Sequence, residues 1–286
     1  MSASSAEHND FYNPNPNYLT IVALEDGLTA KLSVNAVEYS IDGNDNWTTL
    51  ASNTASPAIN TGQYISFRAN LTPTSSNGVG RFTISKSCDL TGNCMSLLFG
   101  DNAKTNLSLS GKDYAFYYLF YNCTTIINVS SNFLPAIILA QSCYNNMFQS
   151  CISLTTAPEL PATTLANYCY SAMFKGCTSL TTAPELPATT LKNNCYQYMF
   201  QSCTSLTTAP QLPATTLATW CYSLMFYGCS KLNYIKAMFI TTPSNSYTSS
   251  WVNGVASSGT FVKNKNATWN VTGTYGIPSG WTVQTA

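Results

Sequence analysis

The sequence predicts a β-rich α+β chain: an N-terminal β-sandwich, then a solenoid of strand–turn–helix units, then a C-terminal β cap. Three observations lead there. Residues 152–165, 178–191 and 204–217 carry nearly the same text, ISLTTAPELPATTL, TSLTTAPELPATTL and TSLTTAPQLPATTL. A second phrase, Cys-Tyr-x-x-Met-Phe-x-x-Cys, starts at Cys143, Cys169, Cys195 and Cys221, 26 residues apart each time. Residues 18–90 instead break into short alternating runs rich in β-formers. A fixed period of this length marks stacked units, because one such unit cannot bury its apolar face alone.

In chain order, residues 1–17 are polar, with two prolines, and read as an extended arm that docks on a partner. Residues 18–90 read as a small immunoglobulin-like sandwich, with strands expected at 18–24, 30–34, 37–41, 47–50, 64–69 and 81–85. Asp42-Gly43 between two of these is a hairpin signal. The array is expected over residues 91–240, with weaker copies at 94–99 and 115–123 and irregular ends. Residues 241–286 lose the repeat and are expected to close the open end of the stack, with strands near 259–262 and 281–283 and with Trp251, Trp269 and Trp281 supplying apolar area.

Within one unit, Leu154-Thr155-Thr156-Ala157 alternates as a short strand does, and Pro158 and Pro161 end it, lacking an N–H to donate. Thr163 or Thr164 then suits a helix N-cap. At about 100° per residue, Leu165, Cys169, Tyr170, Met173 and Phe174 share one half of a helical wheel. Asn167, Tyr168, Ser171, Ala172 and Lys175 share the other. The first set recurs from unit to unit and the second changes, so the first is expected to face the core and the second to face solvent. Gly176 and Gly228 suit left-handed helix C-caps.

The phrase Met147-Phe148-x-x-Cys151-x-x-Leu154 and its copies at Met173, Met199 and Met225 resemble the Treponema-type (BspA-like) leucine-rich repeats. The wording of the units is similar to repeats in gut Bacteroidales surface proteins and their bacteriophages. That resemblance implies a curved leucine-rich-repeat solenoid used for surface attachment or recognition, and it implies no catalytic residues.

Composition narrows the function classes. Only 8% of the 286 residues are charged and the formal net charge is zero, against roughly a quarter charged in ordinary domains. Phosphate recognition needs clustered Lys and Arg, so no nucleic-acid partner is expected. No apolar run is long enough for a membrane span, and residues 1–10 lack the basic start and apolar stretch of a signal peptide. The eleven cysteines are odd in number, lack CxxC spacing, and share the chain with a single histidine, His8. They read as small buried hydrophobes, with no metal or cofactor expected.

No Ser-His-Asp set, phosphate loop or carboxylate pair can be assembled; Glu159 and Glu185 are repeat equivalents, but the third copy is Gln211. The chain therefore reads as non-enzymatic. The candidate binding residues are Tyr168, Lys175, Asn194, Tyr198, Trp220 and Tyr227, on the varying half of each unit. Aligned units would present them as a band whose aromatics stack on sugar rings and whose amides reach hydroxyls. The alternative is free variation on a solvated face. The function expected is a bacteriophage virion surface protein, a fibre or decoration component, held to other virion proteins by its arm and sandwich and turned toward a host surface glycan or another copy of itself. The alternative is a bacterial cell-surface adhesin whose signal lies outside this chain.

Overall fold

The computed structural model of the protein describes residues 14–44 and 46–286. The docking arm expected at 1–17 thus lies almost wholly outside the described residues. Strands β1 (Leu19–Ala23), β2 (Ala30–Leu32), β3 (Val37–Ile41), β4 (Thr48–Leu50), β5 (Tyr64–Arg68) and β6 (Phe82–Ile84) sit where the alternation expects them. Asp42 and Gly43, just past β3, both take positive φ, 52° and 64°, as the hairpin signal requires. A seventh strand, β7 (Cys88–Thr91), follows, then α1 (Ser96–Phe99) and a 3₁₀ helix (Gly100–Thr105).

The strands expected to build the immunoglobulin-like sandwich are divided between two sheets. Strands β1, β3, β4, β5 and β7 lie in one six-stranded sheet, in the order β4-β3-β5-β1-β7 and then an outer sixth strand, while β2 and β6 pair with each other as a second sheet. The outer strand β8 (Ile126–Val129) comes from the expected repeat region and pairs with β7 in parallel. The β7 edge of the sheet is thus extended by the first of the stacked segments.

The strand–turn–helix leucine-rich-repeat solenoid is overturned. Residues 134–233 contain no helix and no strand of more than a single bridge, and the regular elements of the described residues are mostly strands. Its three sheets are separate and do not close into a solenoid. Where strands were expected, Thr156, Thr182 and Thr208 make single parallel bridges only, to Asn128, Thr208 and both Thr182 and Tyr234 respectively. Pro158, Pro161 and their equivalents withhold the N–H groups that would lengthen the ladder.

Where helices were expected, the backbone runs as consecutive tight turns. Cys169, Ser171, Met173, Lys175 and Cys177 donate their N–H groups to the carbonyls of Ala166, Tyr168, Tyr170, Ala172 and Phe174, three residues back. The intervening N–H groups of Tyr168, Tyr170, Ala172, Phe174 and Gly176 go to the next unit, to the carbonyls of Asn193, Cys195, Gln197, Met199 and Gln201. Half of the amides close turns and half tie neighbours together, so the buried backbone is satisfied without a helix. Every fourth residue takes positive φ: Tyr168 58°, Ala172 52° and Gly176 74°, then Asn194, Tyr198 and Ser202, then Trp220, Leu224 and Gly228.

A strict four-residue repeat follows. Cys169, Met173 and Cys177 fall on one line and are buried, and Tyr170 and Phe174 fall on the next line inward. Ser171 and Ala172, expected on the solvent side, are buried as well. The units pile in register. Tyr144, Tyr170, Tyr196 and Tyr222 form one column of near-parallel rings, with centroids 5.7–6.0 Å apart. Phe120, Phe148, Phe174, Phe200 and Phe226 form a second, at 5.5–5.9 Å. The thiols of Cys151, Cys177, Cys203 and Cys229 donate to the carbonyls of Phe120, Phe148, Phe174 and Phe200 at 3.0–3.2 Å.

The stagger runs on past residue 240. The N–H of Phe226 reaches the carbonyl of Trp251, as that of Phe200 reaches Met225, and Gly228 reaches Asn253. A second 3₁₀ helix (Ser131–Phe133) precedes the repeats, and β9 (Tyr234–Ala237) and α2 (Asn245–Thr248) follow them. Strands β10 (Thr260–Lys263) and β11 (Thr282–Thr285) then lie parallel to β9 in the order β11-β10-β9, with Tyr234 beside Thr260 and Thr260 beside Thr282. No helix of the described residues is long and apolar enough to cross a membrane.

Candidate functional site

The turn ladder fixes where the varying side chains go. Tyr168, Asn194 and Trp220 are one position in three successive units, each at a positive-φ corner. Their N–H groups are tied to the carbonyls of Asn193, Thr219 and Ser246 at 2.7–3.1 Å. Exposure differs along this line, with Ser142 of the preceding unit buried and Asn194 half-buried. Tyr168 and Trp220 are 40% and 43% exposed.

The other three expected residues lie on two neighbouring lines. Tyr198 shares its corner line with Ala172 and Leu224, and it is half-buried. Lys175 and Tyr227 share a third line, two units apart, with Tyr227 38% exposed. Lys175 Nζ lies 5.2 Å from the centre of the Tyr198 ring, so those two form one cation–π contact and are not independent ligands. Asn194 Nδ2 donates to Gln197 Oε1 at 2.8 Å, which fixes its amide plane. The structure thus gathers Tyr168, Asn194 and Trp220 into one column and pairs Lys175 with Tyr198. It sets Tyr227 apart.

A second cluster escapes the sequence reading. Tyr114, Tyr117, Tyr118 and Tyr121 belong to the weak copy ahead of the clear repeats. Tyr117 lies 4.2 Å from Tyr118, ring centre to ring centre, and Tyr118 4.9 Å from Tyr121, edge to face. Beside them opens a cleft of ≈ 340 Å³ lined by Ser33, Ser76, Asn77, Arg81, Tyr118 and Tyr121. Burial, reinforced by a hydrogen bond with Tyr118, pushes the Tyr117 hydroxyl up to about 12. Four tyrosines at spacings of three and four were the available signal, but they gain meaning only once residues 33 and 74–81 are seen to face them.

Comparison of the chain with protein-family models, with curated proteins and with solved structures finds no match. The likeness to Treponema-type repeats therefore rests on the wording of the units, and the strand–turn–helix unit it implies is the part that the fold overturns. The cysteines hold no ligand set: all eleven are free and buried. Burial raises their thiols, Cys221 and Cys229 to about 12, so they stay protonated and unreactive at neutral pH.

Proposed function

We propose that the protein is a non-enzymatic surface component of a bacteriophage virion, a fibre or decoration protein, whose stacked turns hold exposed rings and a half-buried amide for attachment to a host surface glycan. One observation carries the attachment half. Tyr168, Asn194 and Trp220 repeat at a fixed spacing on corners whose backbone is tied to the next unit, so the surface is organised before any ligand arrives. A preorganised array loses little entropy on binding. Aromatic rings offer flat apolar faces to the C–H side of a pyranose, while amides meet its hydroxyls. The line of Tyr168, Asn194 and Trp220 carries no Lys or Arg, so this column favours a neutral partner over a polyanion. The virion half carries over from the wording of the repeats.

The corner column supplies a clean test. Asn194 already occupies this position with φ 58°, so Tyr168→Asn and Trp220→Asn remove the rings without straining the backbone. The double variant is expected to keep its unfolding temperature and to lose host-cell or glycan binding by about tenfold or more, the worth of two ring contacts. Undiminished binding sinks the attachment reading. Mass spectrometry of purified virions decides the location, and recovery of the protein only from cell envelopes would replace the virion by the adhesin.

A further inference from the structure

The cleft beside the tyrosines is built by a close backbone approach. Gly78 takes φ +56° in a tight loop where Thr74 and Gly78 exchange both backbone hydrogen bonds, at 2.8 and 3.0 Å. A Cβ at Gly78 would lie 2.7 Å from the carbonyl oxygen of Tyr114 and 3.0 Å from the backbone N of Tyr117. Only glycine lets the loop rest on the tyrosine turn. Asn77 is oriented in turn, with its N–H on Thr74 Oγ1 at 3.3 Å and Nδ2 on Ser76 Oγ at 3.2 Å. Arg81 is held from below by Ser33, whose N–H reaches the Arg81 carbonyl and whose Oγ accepts the Arg81 N–H, both at 3.0 Å.

Arg81 is one of two arginines in the chain, and the pair differ. Arg68 is neutralised by Glu38 and Asp101, each at 2.8 Å. Arg81 forms no ion pair among the described residues; its guanidinium lies 5.9 Å from the centre of the Tyr121 ring, at the mouth of the cleft. A guanidinium without a carboxylate partner, beside two aromatic faces and an oriented amide, complements a ring compound that carries hydroxyls and one carboxylate. The ≈ 340 Å³ volume fits one or two sugar rings.

We propose that this cleft binds an acidic saccharide, with its carboxylate on Arg81 and its C–H groups packed in the corner between the perpendicular rings of Tyr118 and Tyr121. The site is separate from the column of Tyr168 and Trp220 and does not depend on the attachment reading.

The test is titration of the full chain with an oligogalacturonate, with sialyllactose, and with a neutral maltooligosaccharide. At least one acidic probe is expected to bind in preference to the neutral one, more weakly as salt rises. Arg81→Gln and Tyr121→Ala should each weaken it by about tenfold, the scale of one charged hydrogen-bonded contact. Tyr168→Asn with Trp220→Asn should leave it unchanged, which separates failure here from failure of the attachment reading. In the unmutated chain, the acidic probe should slow phenylglyoxal modification of Arg81, with Arg68 as the internal reference. Failure of both acidic probes to bind at millimolar concentration, equal binding of the neutral sugar, or indifference to Arg81→Gln overturns the proposal.

Discussion

The rings of Tyr170 and Tyr196 lie 5.9 Å apart with their planes 4° from parallel, although 26 residues separate them in the chain. Both are buried, and Tyr196 has a further ring, Tyr222, at 6.0 Å on its other side. Its hydroxyl has no hydrogen-bond partner among the described residues. Ring and hydroxyl therefore have opposite expected effects. Tyr196→Ala leaves a cavity inside the column and should cost about 3–5 kcal/mol. Tyr196→Phe removes an unsatisfied polar group and should be neutral or stabilising by about 1 kcal/mol. Denaturant unfolding of the two variants checks this, and a clear loss of stability in Tyr196→Phe would show that the hydroxyl is bonded.

The positive-φ corners make a second pair of expectations. Gly176, Ser202 and Gly228 are equivalent, with φ of 74°, 61° and 74°. An L-residue in this region costs about 1–2 kcal/mol, part of which glycine returns as lost freedom of the unfolded chain. Ser202→Gly should thus gain up to about 1 kcal/mol. Gly176→Val should lose about 2 kcal/mol for conformational reasons alone, since a Cβ there meets nothing closer than 3.5 Å. Thermal unfolding that moved in the same direction for both variants would contradict the corner geometry.

The same corners mark the limit of what could be read from the sequence. Strands β1 to β6, the period, the buried cysteines and the tolerance of Gly176 for a left-handed backbone were legible, because alternation and repetition are local signals, whereas β7 was not expected. The element joining Leu165 to Cys177 was not. Cys169, Met173 and Cys177 are four apart, and a helix at 100° per residue nearly superposes such a set, drifting by only about 40° each time. What excludes the helix is that alternate N–H groups leave for the neighbouring unit, a long-range fact. Tyr168, Ala172, Trp220 and Leu224 at positive φ give no warning in their residue types, unlike Asn146 or Gly176. Of the expected binding residues, periodicity alone aligned Tyr168, Asn194 and Trp220. The tyrosine cleft needed the fold, because Arg81 and Tyr121 are brought together by long-range contacts, the Gly78 approach and the Phe82 N–H on the Leu119 carbonyl among them.

The buried thiols and phenols predict a one-sided pH response. Burial raises Cys221 and Cys229 to about 12, and it raises Tyr144, Tyr170, Tyr196 and Tyr222 well above the ordinary phenol range. Unfolded thiols ionise near pH 8.5. Above that pH the unfolded chain binds fewer protons than the native one, so stability must fall as pH rises. Stability should be insensitive to these groups up to about pH 8.5 and then decline toward pH 12, by about 1.4 kcal/mol per pH unit for each thiol titrating. A melting temperature that is the same at pH 7 and pH 10.5 would refute this. In native protein at neutral pH, Ellman's reagent should find none of the eleven cysteines, and in denaturant all of them.

The last coil carries the final expectation. Trp251 stands in register after Met225, fully buried, with its ring 6.3 Å from Tyr222 and 6.1 Å from Phe226. Its Nε1–H donates to the Gly276 carbonyl at 2.9 Å, so residues 244–254 are locked to the turn that leads into β11. Phe239 stacks on Trp269 at 5.2 Å on the same side. These rings replace the next repeat, and a stack of units needs such an end. Ending the chain at residue 243 uncovers Tyr222, Phe226 and Phe239 together and should give aggregated protein or one that binds a hydrophobic dye. Trp251→Ala keeps the chain length and should cost about 3–5 kcal/mol, as other buried aromatic truncations do. A soluble, cooperatively melting 1–243 fragment would show that the stack holds its last rings without residues 244–286.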